Sequence, residues 1–222
     1  MDPVLRNLSP RALKLLDLVL LKAGWVACVV GAAQGQPWIG PAAVALALVL
    51  HLSLAPRPGR DLALLGVLAL LGAITDGVLN ATGVTSFSPE FPRLGLVPVW
   101  MFVLWPLFAM TFHSTMGWLK GRPMLAALLG LLGGPPGYVV ADSMGALTLM
   151  RPLSGAVVAL GVAWAVALPL GFWFATRQDL ELRRGLLRPA PRPLNAGAPA
   201  PLAVTAGRSR TPGPEDAYCG PV

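Results

Sequence analysis

Apolar and polar positions divide most of the chain into long apolar runs joined by short polar connections. A bilayer core ~30 Å thick is crossed by roughly 20 apolar residues in helical conformation. Six runs reach or approach that length, at 15–33, 38–55, 62–79, 96–119, 124–141 and 155–176. The second is among the shortest and is bounded by Pro41 and Pro56. The pattern predicts an all-α, polytopic membrane helix bundle of about six transmembrane helices. It predicts three parts: a short basic N-terminus over 1–14, the transmembrane domain over 15–176, and a Pro/Ala-rich cytoplasmic tail over 177–222, expected to be disordered.

Composition agrees with a bilayer. Hydrophobic residues make up 55% of the 222 and charged residues only 12%, half the quarter or so found in an ordinary soluble domain. The net charge of +7 does not indicate a nucleic-acid partner, because the basic residues lie between apolar runs and no basic stripe carries stacking aromatics. They act instead as topology signals, since cytoplasmic loops are enriched in Lys and Arg. Placing the N-terminus inside puts Arg6, Arg11, Lys14, Arg57, Arg60, Lys120, Arg122, Arg177, Arg183 and Arg184 on the cytoplasmic side, with only Arg93 and Arg151 outside. The expected topology is therefore N-in and C-in. Trp38 and Trp100 fit anchors at the outer interface, and Trp118 and Trp173 at the inner one. Richness in Arg over Lys, with abundant Ala, Gly, Leu and Pro, points to a bacterial source, and hence to a multi-pass protein of the cytoplasmic (inner) membrane. The first run resembles a secretory leader in its flanks, but Asp17 and Lys22 are charges that such a segment rarely carries. The two cysteines, Cys28 in the first run and Cys219 in the tail, are not placed to form a disulfide framework.

Ionisable groups inside a membrane are expensive and mark candidate sites. Lys22, His51 and His113 fall in one layer toward the predicted inner surface; Asp76, Asn80 and Asp142 fall in an outer one. On the third run Ala69, Gly72, Ala73, Asp76 and Asn80 make a single stripe of small and polar residues, so Asp76 is expected to face protein. A carboxylate there needs a partner or a proton. Pro106, Ala109, His113 and Gly117 make a comparable stripe on the fourth run, with Ser114 and Thr115 beside it. Plainer roles stand beside these: Lys22 snorkelling to the headgroups, His113 as a satisfied packing residue, and Asp142 as an interfacial group. On the fifth run Gly133, Gly134, Pro135 and Pro136 are expected to kink or break the helix near mid-membrane, because proline frees carbonyls of the preceding turn. Such a break either lines a substrate cavity or is a proline kink beside a glycine packing surface. The candidate site residues are thus Asp76, His113, Lys22, Asn80, Ser114, Gly133, Gly134, Pro135 and Pro136.

There is no H-E-x-x-H, G-x-S-x-G, Walker loop, dinucleotide fingerprint or paired CxxC. No catalytic residue, metal or cofactor is therefore assigned.

The segment at 31–40, GAAQGQPWIG, and the stretch from Trp105 to Gly137, containing FHSTMGWLKGRPMLAALLGLLGGPPG, resemble the bacterial family called domain of unknown function 2878. The resemblance covers about 16–175. It implies a small inner-membrane protein without an established activity, and, through genes neighbouring cyclopropane-fatty-acid synthase-like methyltransferases, an association with lipid metabolism. Members tend to carry Asn directly before the His-Ser pair, where this chain has Phe112, so His113 lacks that donor.

Three functions follow as expectations. The first is a non-enzymatic membrane protein that binds or moves a lipid or other apolar small molecule, or assists a lipid-modifying enzyme. Its partners would be membrane lipids and such an enzyme, with no nucleic acid. The second is a small secondary transporter coupled to protons through Asp76. The third, disfavoured by the missing motifs, is an intramembrane enzyme.

Overall fold

The computed structural model describes residues 9–187. Seven α-helices dominate: α1 (Pro10–Ala33), α2 (Ile39–Leu54), α3 (Pro58–Ala81), α4 (Val99–Phe102), α5 (Leu104–Ala109), α6 (Pro123–Ser143) and α7 (Leu153–Leu187). Three of them begin on a proline, the residue whose missing N–H costs nothing in a first turn. At α1 the Ser9 hydroxyl also accepts the Ala12 N–H. Four helices, α1, α3, α6 and α7, are long and apolar enough to cross a membrane, whereas α2 and the α4–α5 pair are shorter apolar elements.

Successive long elements run in opposite directions. The start of α1, the end of α2, the start of α3, the turn after α5 and the last third of α7 meet at one end, through contacts among Asp17, His51, Asp61, His113 and Asp179. At the other end short strands close the loops: β1 (Thr85–Ser86) pairs with β4 (Thr148–Leu149), and β2 (Arg93–Leu94) with β3 (Val97–Pro98), all antiparallel. Gly95, at φ 63°, takes the first position of the two-residue β2–β3 turn, where a positive φ is required.

Small residues set the closest approaches. A Cβ on Gly40 would strike Cys28, one on Gly72 the ring of Trp105, and one on Gly130 or Gly134 Trp164. These contacts bring α2 onto α1, α5 onto α3 and α7 onto α6, as expected where apolar helices pack without a hydrophobic drive of their own. Aromatic rings fill the centre: Trp105 stacks on Trp164 at 4.8 Å between centroids, and Phe112 on Phe172 at 4.1 Å.

The structure corrects several expectations. The fourth run is not one helix over 96–119. It breaks at Val103 and again after Ala109, where turns replace the helix until a 3-10 segment at Gly117–Leu119. Pro106 offers no N–H to the carbonyl of Phe102. Further on, the Thr111 and Ser114 hydroxyls take the carbonyls of Phe108 and Met110, competing with backbone amides. Conversely, α6 is helical without interruption through Gly133, Gly134, Pro135 and Pro136, so the expected break there is absent. Trp100 is 1% exposed and packs against Phe87, which makes it core rather than an interfacial anchor. Finally, α7 continues eleven residues past 176, its added turns held by Gln178 and Asp179. The rest of the predicted tail, and residues 1–8, lie outside the described residues.

Candidate functional site

Three arrangements take up the polar groups of the apolar helices. The first surrounds Asp76, which is buried, as the α3 stripe predicts. The Trp105 indole N–H donates to Oδ2 at 2.8 Å and the Tyr138 hydroxyl donates to Oδ1. Indole nitrogen is a donor only, so Oδ2 is fixed as an acceptor. The group joins α3, α5 and α6, and the ring that reaches Asp76 also covers Gly72. Chemically this is a satisfied buried carboxylate that fixes three helices together. Asn80 lies one turn further on and donates to the Leu96 carbonyl at 3.0 Å, outside this group.

The second arrangement lies at the opposite end and was largely invisible in sequence. His51 Nδ1 is 2.9 Å from Asp17 Oδ1, and its Nε2 is 3.9 Å from Asp61. His113 Nε2 is 4.0 Å from Asp61 and 3.2 Å from the Gln178 amide oxygen; its Nδ1 is 3.9 Å from Asp179 and contacts the Lys120 ammonium. Arg60 donates to Asp61 and to Asp179, and Lys120 donates to Asp179 at 2.8 Å. His113 sits in the turn beyond α5, between Lys120 and Gln178. Both histidines of the chain belong here. Among the described residues no set of His, Cys, Asp and Glu has the geometry to hold a metal ion, and Arg60 and Lys120 already pair with Asp61 and Asp179.

The third is an open groove of about 1020 Å³ along α1, lined by Leu15, Val19, Ala23, Val26 and Val30 among others, with Lys22 as its cation. Lys22 is exposed and makes no hydrogen bond or ion pair among the described residues. It does not join the histidine row, although it was expected in the same layer.

Of the remaining candidates, Ser114 only returns its hydroxyl to the Met110 carbonyl. Gly134 and Pro135 are buried against α7, while Gly133 and Pro136 are exposed. Gly134 and Pro135 are packing surface, and none of the four lines either polar group. Asp142 accepts the Leu149 N–H and pairs with Arg151, closing the β4 loop. Sequence reasoning missed Asp17 as a partner of His51, read Arg60 and Lys120 only as topology signals, and did not single out Asp61, Gln178 or Asp179. Asp17 carried a usable signal, being an acid inside an apolar run.

Long apolar helices, small-residue contacts and a buried Asp76 satisfied within the bundle define a helical protein of the membrane-compatible class. The family described as Protein of unknown function (DUF2878) matches residues 14–170, and the chain belongs to that family. Neither the curated proteins nor the solved structures contain a match.

Proposed function

We propose that this chain is a six-span protein of the bacterial inner membrane, with both ends cytoplasmic, that binds or moves a lipid or other apolar small molecule along α1. The topology is supported by the end-to-end grouping of its loops: Lys14, Arg60 and Lys120 share the histidine end, while Arg93 and Arg151 belong to the strand end. The function rests on one observation, an exposed lysine at the middle of a 24-residue apolar helix, set in an apolar groove. An unpaired cation at a helix centre costs about 3 kcal/mol in a bilayer. Lys22 lies roughly 12 Å along the axis from Lys14, deeper than snorkelling readily relieves. An anionic head on Lys22, with its chain over Ala23, Val26 and Val30, removes that cost. Such a protein could present a lipid to a lipid-modifying enzyme.

Native mass spectrometry of the full chain in nanodiscs of mixed anionic and zwitterionic phospholipid tests this. An anionic lipid adduct is expected, lost in Ala23→Trp and Ala27→Trp, which fill the groove, and weakened in Lys22→Gln. An adduct indifferent to all three substitutions overturns the proposal. Coupling to protons remains a second reading, moved from Asp76, which is bound by two donors, to the histidine end.

A further inference from the structure

Five titratable side chains from five parts of the chain alternate in one row: Asp17 on α1, His51 on α2, Asp61 on α3, His113 in the turn after α5, and Asp179 on α7. Each imidazole presents one ring nitrogen to each of two carboxylates, and Asp61 is shared by both histidines. The cations facing the row are Arg60, on Asp61 and Asp179, and Lys120, on Asp179 and His113. Gln178 is the neutral group on His113.

Three carboxylates stand against these two cations. With both imidazoles neutral the group keeps one negative charge, in side chains of which Asp17, Asp61 and His113 are at most 8% exposed. Uncompensated charge is costly in such surroundings, and one proton cancels it. Imidazole is the side chain that ordinarily exchanges a proton between pH 5 and 8. Access is one-sided. The Asp179 side chain is 32% exposed and lies beside a pocket of about 520 Å³ lined by its partner Arg60, by Gln178 and by Glu181, whereas Asp17 is enclosed.

We infer that this row is a proton-exchange site, which takes a proton from the Asp179 side and passes it between the two histidines through Asp61. A proton from solvent at the Asp179 side adds first to His113 Nδ1 as Lys120 moves off it; the Nε2–H bond of that imidazolium then breaks as an O–H bond forms on Asp61, and this O–H bond breaks as an N–H bond forms on His51. No electron changes centre. The gaps of 3.9 and 4.0 Å exceed hydrogen-bond length, so each transfer requires a side-chain rotation or one bridging water. The inference is independent of lipid binding on α1.

Because the chain has only two histidines, nitrogen-15 NMR of histidine-labelled full-length protein in nanodiscs reports on both without ambiguity. The wild type should titrate as a coupled pair, each imidazole curve showing both steps. Asp61→Asn should separate the curves and move at least one midpoint by about one pH unit, while Asp76→Asn leaves them unchanged. His51→Gln should reduce the His113 curve to a single step, which serves as the test if Asp61→Asn does not fold. Two independent single-step curves in the wild type overturn the inference, as does a His113 curve that His51→Gln leaves unaltered.

Discussion

The indole N–H of Trp105 donates to the Asp76 carboxylate at 2.8 Å while the same ring lies over Gly72, one turn before Asp76 on α3. One side chain thus satisfies a buried carboxyl group and fills the space left by a missing side chain. The pair makes the contact of α5 with α3 depend on both residues at once.

Asp76 should therefore govern stability. Asp76→Leu leaves the Trp105 N–H and the Tyr138 hydroxyl without their acceptor, at about 1–3 kcal/mol for each buried group. Asp76→Asn keeps one acceptor oxygen and turns an amide donor toward the other donor, so a loss of about 1–2 kcal/mol is expected. Reversible unfolding in mixed micelles should rank wild type above Asn and Asn above Leu. Equal stability of Leu and wild type would exclude the role.

Neighbouring glycines of α6 should behave oppositely. A Cβ at Gly130 meets the Trp164 backbone, and Gly130→Ala should cost about 1–3 kcal/mol through overpacking. Nothing lies within 4 Å of a Cβ at Gly133. Gly133→Ala should be neutral or stabilising by up to about 1 kcal/mol, as helix propensity favours alanine. Thermal unfolding of the two variants side by side separates these outcomes.

The Asp17 and His51 side chains should be energetically coupled. A double-mutant cycle with Asp17→Ala and His51→Ala is expected to give about 0.5–3 kcal/mol of interaction, the range for residues in contact. Additive losses would mean that their 2.9 Å contact contributes nothing specific.

Topology is open to direct test by reporter fusions. Fusions after Gln36, near Ser88 and near Gly145 should report outside, and those after Pro58 and at Gly121 inside. One reversed site would require a different number of crossings.

Much of the fold was legible because apolar run length and loop charge are one-dimensional signals. Asp76 was legible for a related reason, since helix period alone places it beside Gly72. The Asp17–Asp179 row was not. Its members come from five parts of the chain, and Arg60, Asp61 and Asp179 look like ordinary loop or tail charges until α7 continues past 176 and brings Asp179 beside Lys120. The fourth run misled for another reason. Hydropathy counts Thr111 and Ser114 as mild interruptions, whereas their hydroxyls compete for the carbonyls on which helix continuity depends. At Pro135 and Pro136 the error ran the other way, because a helix packed against α7 tolerates prolines that sequence alone reads as a break.

Asp17 and Lys22 are five positions apart on α1, which at ~100° per residue sets them about 140° apart around its axis. One points to His51 and the other out into the groove. The azimuth of the helix is held by this polar contact together with the packing of Gly24, Cys28 and Val29 on the same side. A ligand that twists α1 while settling over Lys22 must strain the Asp17–His51 contact, and a proton that loosens this contact frees the helix to turn.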